Sequence, residues 1–413
     1  MAGGKDDSIK SMRRYLHTNI TLLRMCGFYS MEGIFTGEPC RSNIWESVFL
    51  CFLIPCEFFM MICELRTVFR DWSREKDHSI EAACVMFMVG SCGAQGWGLV
   101  YKRVEVRDLL RRLVLAWGTL NPANETSQRI TESMQKVAHQ TTIYSCFAVS
   151  ACGMFLVRPY ADLLTQYMTK NSSEPYNYAK TVLDPMYPFP VDDVWTFLAV
   201  VNFEQMLSVI MLMYWVSIDS LFIQCTMHIG AHFEILYEDL MNIVDKSRDE
   251  FSSSKEDRVV GKLMDIAERH IKLLELCDAI ENIFSPITLI VMLVIAFIMC
   301  VGLFQFQKML LAGSYLECLK YFAQITCLVG KTIVFCFFSS MLSDKTSLIG
   351  DAAYEGEWMN RSRKFNSILL LILMRSQKSF HCTAYGFFPV TIDRMTIIFK
   401  TAGSYFTLLK AMT

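Results

Sequence analysis

The chain is short of net charge. Its 39 lysines and arginines meet 41 aspartates and glutamates, a formal net charge of −2 over 413 residues, so no basic face recommends a nucleic-acid partner. The short motifs of catalysis are missing as well. There is no Walker loop, no dinucleotide fingerprint and no serine-nucleophile elbow, so neither an enzyme nor a bound cofactor is expected. His228-Ile229-Gly230-Ala231-His232 sets two imidazoles one helical turn apart. The glutamate that follows the first histidine in metalloproteases is absent, and with no third ligand in view no metal site is expected. Met1 to Thr21 holds no apolar h-region, which argues against a cleavable signal peptide, and Ala2 stands where myristoylation needs glycine. Cysteine is not scarce, at sixteen, but the segments assigned below to the outside hold none. Ten of them, Cys51, Cys56, Cys63, Cys84, Cys92, Cys146, Cys152, Cys300, Cys327 and Cys336, sit in apolar runs, where cysteine acts as a small hydrophobe, so a disulfide framework is not expected.

What the chain has is apolar length. Hydrophobic residues make up 53% of it and mean hydropathy is +0.31, too apolar for a soluble globular protein. Spans are predicted over Ile44–Leu65, Ile80–Tyr101, His139–Val157, Val194–Thr226, Ile283–Phe304 and Tyr315–Leu342, with a seventh in the final helix. Lysine and arginine set the orientation. They crowd the N-terminus, the segment after span two (Lys102 to Arg112), the segment after span four (Lys246 to Lys272) and the segment after span six (Lys345 to Lys364), and they are sparse in the alternate loops. The expected fold is therefore an all-α membrane protein of seven helices, with a cytoplasmic N-terminus, an extracellular C-terminus and a helical cytoplasmic anchor. Its parts are 1–43, a cytoplasmic segment; 44–226, spans one to four; 227–282, cytoplasmic helical extensions; 283–342, spans five and six; 343–384, anchor helices; and 385–413, the last span. This orientation opposes that of a G-protein-coupled receptor. Asp393-Arg394-Met395 and Asn121-Pro122 lie in the wrong places for that class and are chance matches.

Several features refine the outline. The sequon Asn171-Ser172-Ser173 falls in an outer loop, where glycosylation is expected, whereas Asn124-Glu125-Thr126 falls inside and should stay unmodified. Pro185, Pro188 and Pro190 stiffen the end of that outer loop, which suits either a lid over a cavity or a plain connector. Gly90, Ala94 and Gly98 form a small-residue face for close helix approach. Glu57 and Glu64 are intramembrane carboxylates, functional candidates by rule and equally candidates for a satisfied structural role. After span four, Phe233, Leu236, Leu240 and Ile243 step by three and four. Val259, Leu263, Ile266, His270, Leu273, Cys277, Ile280 and Phe284 do so again, so both helices should continue beyond the bilayer. The short run Phe365–Met374, half the length of a span, is the expected partner of these stripes.

The last sixty residues are the most distinctive. Ala353-Tyr354-Glu355-Gly356-Glu357-Trp358, then Leu373-Met374-Arg375-Ser376-Gln377-Lys378-Ser379, then Lys400-Thr401-Ala402-Gly403-Ser404-Tyr405-Phe406-Thr407-Leu408-Leu409 resemble the C-terminal signature of insect odorant receptors in order, spacing and position. The final helix, read as Phe387 to Thr413, is apolar on one side and rich in hydroxyls on the other. That suits the wall of an aqueous path, the competing reading being a lipid-facing anchor.

The resemblance implies a ligand-gated, non-selective cation channel in which the last helix of each of four subunits lines the pore and the cytoplasmic base joins the subunits. The family's co-receptor carries a large insertion between spans four and five. Met227 to Asn282 is too short for that, so the chain resembles the odour-tuning subunit that pairs with the co-receptor in the plasma membrane of olfactory sensory neurons. A homomeric gustatory-type receptor is the near alternative, and a secondary transporter, which should show paired halves, is the distant one. The resemblance places a small volatile apolar ligand among the outer halves of spans two, three, four and six. The candidates there are Met86, Phe87, Met88, Phe155, Trp195, Phe203, Met206 and Tyr321. The same resemblance makes Leu408 and Met412 the narrow part of the closed pore, and stepping back along that helix face adds Ser404 and Thr401 to the pore wall. Candidates for the subunit interface are Tyr354, Trp358, Lys400 and Tyr405. Lys400 adds a physical argument for the partner: four ammonium groups around one cation path repel one another and the permeating ion.

Overall fold

The computed structural model of the chain describes residues 12–28, 33–36, 44–72, 76–117, 125–169, 178, 181–245, 253–355, 358 and 361–412. Among them every regular element is a helix, and the only β pairing is an isolated bridge between Thr383 and Pro389. The helices are α1 (His17–Met25), α2 (Gly33–Thr36), α3 (Ile44–Asp71), α4 (Lys76–Tyr101), α5 (Arg103–Trp117), α6 (Glu125–Thr169), α7 (Val194–Asp245), α8 (Ser253–Leu311), α9 (Tyr315–Glu355), α10 (Arg363–Ser376) and α11 (Ile392–Met412). Each of the first six apolar runs read as a span lies inside one of α3, α4, α6, α7, α8 or α9, and the seventh overlaps α11. Taken by length and composition alone, segments of α4, α7, α8 and α9 are long and apolar enough to cross a membrane.

The long helices outrun any bilayer. With 52 residues in α7 and 59 in α8, a rise of 1.5 Å per residue gives lengths of about 78 and 88 Å, against a hydrocarbon core of about 30 Å. The stripes read from the sequence are the buried ones: Phe233, Leu236 and Leu240 on α7, and Leu263, Ile266, His270, Leu273, Cys277, Ile280 and Phe284 on α8. Their partner differs in part from the expected one. The α10 helix does bury Phe365, Leu369 and Ile372, but it packs on α8 and α9. The larger contribution comes from α9, which runs past Leu342 to Glu355 and adds Ile349, Ala352 and Ala353 to the same core. The charges at Asp344 and Lys345 mark where the run stops being apolar. They do not break a helix that continues in a packed base. Glu256 locks this base, accepting from Arg361 Nη1 (3.0 Å) and from the Ser362 backbone N–H (3.2 Å) at the start of α10.

Two points correct the sequence reading and a third adds to it. The final helix begins at Ile392 instead of Phe387. Tyr385 and Gly386 adopt φ of 51° and 74°, a left-handed pair that no helix accommodates, and Pro389 disfavours helical geometry at Phe388 before it. This connector is pinned to α8, where Glu281 accepts from the Thr383 N–H (2.9 Å) and Ser285 Oγ from the Tyr385 N–H (2.7 Å). Next, the glycines of α4 do not form one face for one partner. A Cβ at Gly90 would meet Met61 of α3, and one at Gly98 would meet Ile287 of α8. Four-residue steps turn a helix by about 40° each, so two steps reach a different neighbour. Finally, the charged stretch after span two is an amphipathic helix, α5. It buries Val106, Leu109, Leu110, Leu113, Val114 and Trp117, and the Trp117 indole packs edge-on against His228 and His232, with ring centroids 5.2 and 6.0 Å away. The two histidines are packing groups there.

Candidate functional site

Between α4, α7, α8 and α9 lies a cavity of about 190 Å³. Each helix offers it one face. His78, Glu81, Ala82, Val85, Met88 and Val89 step by three and four along α4, as do Ser208, Met211, Leu212 and Trp215 along α7, and Lys320, Tyr321, Gln324, Cys327 and Leu328 along α9. That spacing is the signature of a single helical surface. Val301, Gly302 and Gln305 of α8 and Leu156 of α6 complete the sides, and residues 182–184 close one end. An engineered apolar cavity of about 150 Å³ holds benzene, so this one holds a single ring with a short substituent.

The closing segment is held by one carboxylate. Glu204 is fully buried. It accepts from Thr181 Oγ1 (2.8 Å), the Val182 and Leu183 N–H groups (2.7 and 3.0 Å) and the Tyr187 hydroxyl (2.7 Å). Met186 N–H adds a bond to Thr67 Oγ1 of α3 at 2.7 Å. Asp184 sits in this segment at φ 56°, and burial pushes its carboxyl above the usual range. The chain then re-enters a helix at Asp193, whose carboxylate accepts from the N–H groups of Trp195 and Thr196, each at 3.0 Å. The prolines thus belong to a roof that is tied down, more than a connector.

At the opposite end lies a buried ion pair. Asp219 of α7 and Lys331 of α9 stand 2.6 Å apart with side chains 0% and 3% exposed. The Tyr144 hydroxyl of α6 (2.6 Å) and the Trp215 indole N–H (2.8 Å) also donate to Asp219, and Lys331 donates to Gln95 Oε1 of α4 (3.2 Å). A buried charge is tolerated only when paired and hydrogen-bonded, and this one gathers four helices. Trp215 belongs to both structures, with its ring on the cavity and its N–H on Asp219. At the roofed end a second pair, Lys320 with Glu81, ties the start of α9 to the start of α4, with the Lys320 ammonium 5.3 Å from the Tyr321 ring centre.

Of the residues expected at the ligand, Met88 and Tyr321 line this cavity. Phe87 turns away to pack edge-on against Phe297 of α8, with ring centroids 4.9 Å apart, and Phe203 packs on Phe59 of α3 at 6.2 Å. Trp195 and Met206 are exposed, and Met86 is half-buried on another side of α4. The side chains of Phe155 and Met412, and Asn171 altogether, lie outside the described residues. The last helix is two-faced as expected. Ala402 is buried, with Met395, Ile398 and Phe399 packed against the core, while Ile397, Thr401, Ser404, Leu408, Lys400 and Tyr405 are exposed. Tyr354 and Trp358 are exposed too. Glu64 is buried near the roof, and Glu57 lies where a Cβ on Gly93 would stand. Glu81, Glu204, Asp219, Lys320 and Lys331 were legible as charges within or beside apolar runs, the rule that singled out Glu57 and Glu64. Their pairing was not.

A family model described as 7tm odorant receptor matches residues 78–403. Odorant receptor 67a of Drosophila melanogaster is 22% identical over 415 residues, covering 98% of this chain and 99% of that protein. Odorant receptor 22c of the same species is 28% identical over 197 residues, 47% of this chain and 48% of that protein, so that match spans about half of the relative's length. The fold is that of the insect olfactory receptor OR5 from Machilis hrabei, solved in complex with eugenol. It superposes with a TM-score of 0.75 at 12% identity, over 98% of this chain and 100% of that one.

Proposed function

Because the chain belongs to the 7tm odorant receptor family, a family of multi-pass receptors and not of enzymes, we propose that it is the odour-tuning subunit of a heteromeric, odorant-gated cation channel. The observation that carries this reading is a roofed, largely apolar cavity whose wall helix α9 also touches the start of α11. Tyr321, Cys327 and Leu328 of α9 line the cavity, Lys331 holds the ion pair beneath it, and Ser340 Oγ accepts from the Ile392 N–H at 3.2 Å. Movement of α9 at a ligand therefore bears directly on the last helix. The small-molecule complex of the Machilis hrabei receptor supports a ligand site on this fold.

In this reading α3, α4, α6, α7, α8, α9 and α11 cross the plasma membrane of an olfactory sensory neuron, with residues 1–43 inside and Thr413 outside. The extensions 227–282 and the segment 343–384 form the cytoplasmic base, and Tyr354, Trp358, Lys400 and Tyr405 face neighbouring subunits. Thr401, Ser404, Leu408 and Met412 face the pore, and Asn171 carries the glycan. A small volatile with an apolar body occupies the cavity. The test is expression with and without the co-receptor during exposure to volatile alcohols, esters and terpenes. Evoked current only with the co-receptor is expected. Robust current from the chain alone would favour a homomeric, gustatory-type channel instead. An epitope before Met1 that stains unpermeabilised cells would reject the topology.

A further inference from the structure

The cavity is polar at one end and apolar at the other, and the order of residues along its walls shows it. Along α4, His78 and Glu81 come first, with Met88 and Val89 two to three turns deeper. Along α9, Lys320 comes first, with Cys327 and Leu328 about two turns deeper. The roof segment adds Asp184 to the end where Glu81 and Lys320 are paired. The floor is carbon and sulfur, because the Trp215 indole N–H is already committed to Asp219 and presents only its ring. Glu81 is the acceptor of this arrangement. An ionised carboxylate offers two oxygens and about four lone-pair sites; Oε1 holds the Lys320 ammonium and the Tyr321 side chain also bonds the carboxylate, which leaves acceptor capacity for a ligand.

Resting on the ligand site proposed above, we infer that this receptor is tuned to a small alcohol or phenol. The hydroxyl donates to the Glu81 carboxylate beside Lys320, and the hydrocarbon body lies between Met88, Met211 and Trp215. From Glu81 to Val89 the cavity runs eight residues of helix, about 12 Å at 1.5 Å per residue, the length of one ring with a two- or three-atom arm. A hydrocarbon of the same shape would give the Glu81 carboxylate no hydrogen bond from the ligand, and a site built to hydrogen-bond a hydroxyl discriminates against analogues lacking it.

The test uses the full chain with its co-receptor and three probes of nearly equal size: 2-phenylethanol, its methyl ether and propylbenzene. We expect 2-phenylethanol to activate at concentrations at least about tenfold lower than the other two, the effect of one charge-assisted hydrogen bond. Glu81→Leu should collapse that ratio towards one. Glu81→Gln keeps the side-chain shape in case the leucine variant fails to reach the surface, and should narrow the ratio by a smaller factor. Equal potency of the three probes on the wild type, no response to the alcohol up to its solubility limit, or an unchanged ratio in both variants would overturn the inference. Leu212→Trp, which fills the floor, tests the site itself. Loss of all probe responses at normal surface level supports the site, and intact responses would show that the cavity is not where ligands act.

Discussion

Replacing Lys331 by methionine strands a carboxylate in the middle of the helix bundle. Asp219 keeps the Tyr144 hydroxyl and the Trp215 indole as donors but loses its only counter-ion among the pairs described. Breaking a buried ion pair from one side costs about 3–5 kcal/mol, since the remaining charge stays desolvated. Removing both charges together is far milder. Asp219→Asn retains a carbonyl oxygen for Tyr144 and Trp215, so the double variant Asp219→Asn/Lys331→Met should recover most of the loss. The assay is the apparent melting temperature of the detergent-solubilised complex, followed by fluorescence-detected size exclusion, together with surface biotinylation. Heating of such proteins is often irreversible, so variants are ranked at one heating rate. Lys331→Met should melt well below the wild type and reach the surface poorly, with the double variant close to wild type. A single variant that melts like the wild type, or a double variant no better than the single, refutes the idea that this pair organises four helices.

Four other outcomes follow from the same geometry. Glu204→Ala removes the acceptor for four groups of the roof, each bond to a charged group worth about 1.5–3 kcal/mol. Cys327 in the cavity should then react with a small thiol reagent at least about tenfold faster, and an unchanged rate means the roof is held by something else. Gly96→Ala would set a Cβ 3.1 Å from the Tyr214 ring, whose hydroxyl is tied to the Cys26 carbonyl, so overpacking should cost about 1–3 kcal/mol. Gly93→Ala meets only the movable end of Glu57 and should melt closer to wild type; the reverse ranking would contradict the packing. Leu408→Ser on the exposed face of α11 should wet a hydrophobic constriction, raising ligand-free current and shifting ion selectivity at normal surface expression, whereas a packing role would lower expression with basal current unchanged. Although partial burial opposes it, bonding to Ser362 and Arg361 holds the Glu256 carboxyl below the ordinary glutamate range. Its stabilisation of the base is present above the unfolded pKa of about 4.3 and fades as pH falls through the lower folded value. The melting difference between wild type and Glu256→Gln should accordingly vanish in acid, and a constant difference would exclude this link.

The sequence by itself determined where most of the long helices run and, for α7, α8 and α11, which side is buried. Period and run length are local properties, so the long apolar helices, the stripes on α7 and α8 and the two faces of α11 could be read directly. It also carried a C-terminal pattern distinctive enough to place the chain in its family. Helix ends were harder, because a helix that leaves an apolar layer continues as long as another surface packs on it, as α9 does to Glu355. The cavity belongs to the tertiary structure alone. An apolar side chain on a membrane helix is equally content against lipid or protein, so no composition rule separates Met88, which lines the cavity, from Phe87, which turns to Phe297. Asp219 and Lys331 are 112 positions apart, and each read alone is merely a charge in an apolar run. Only the packing of α4, α6, α7 and α9 brings them within 2.6 Å, and there the cost of burying either charge becomes the reason for keeping both.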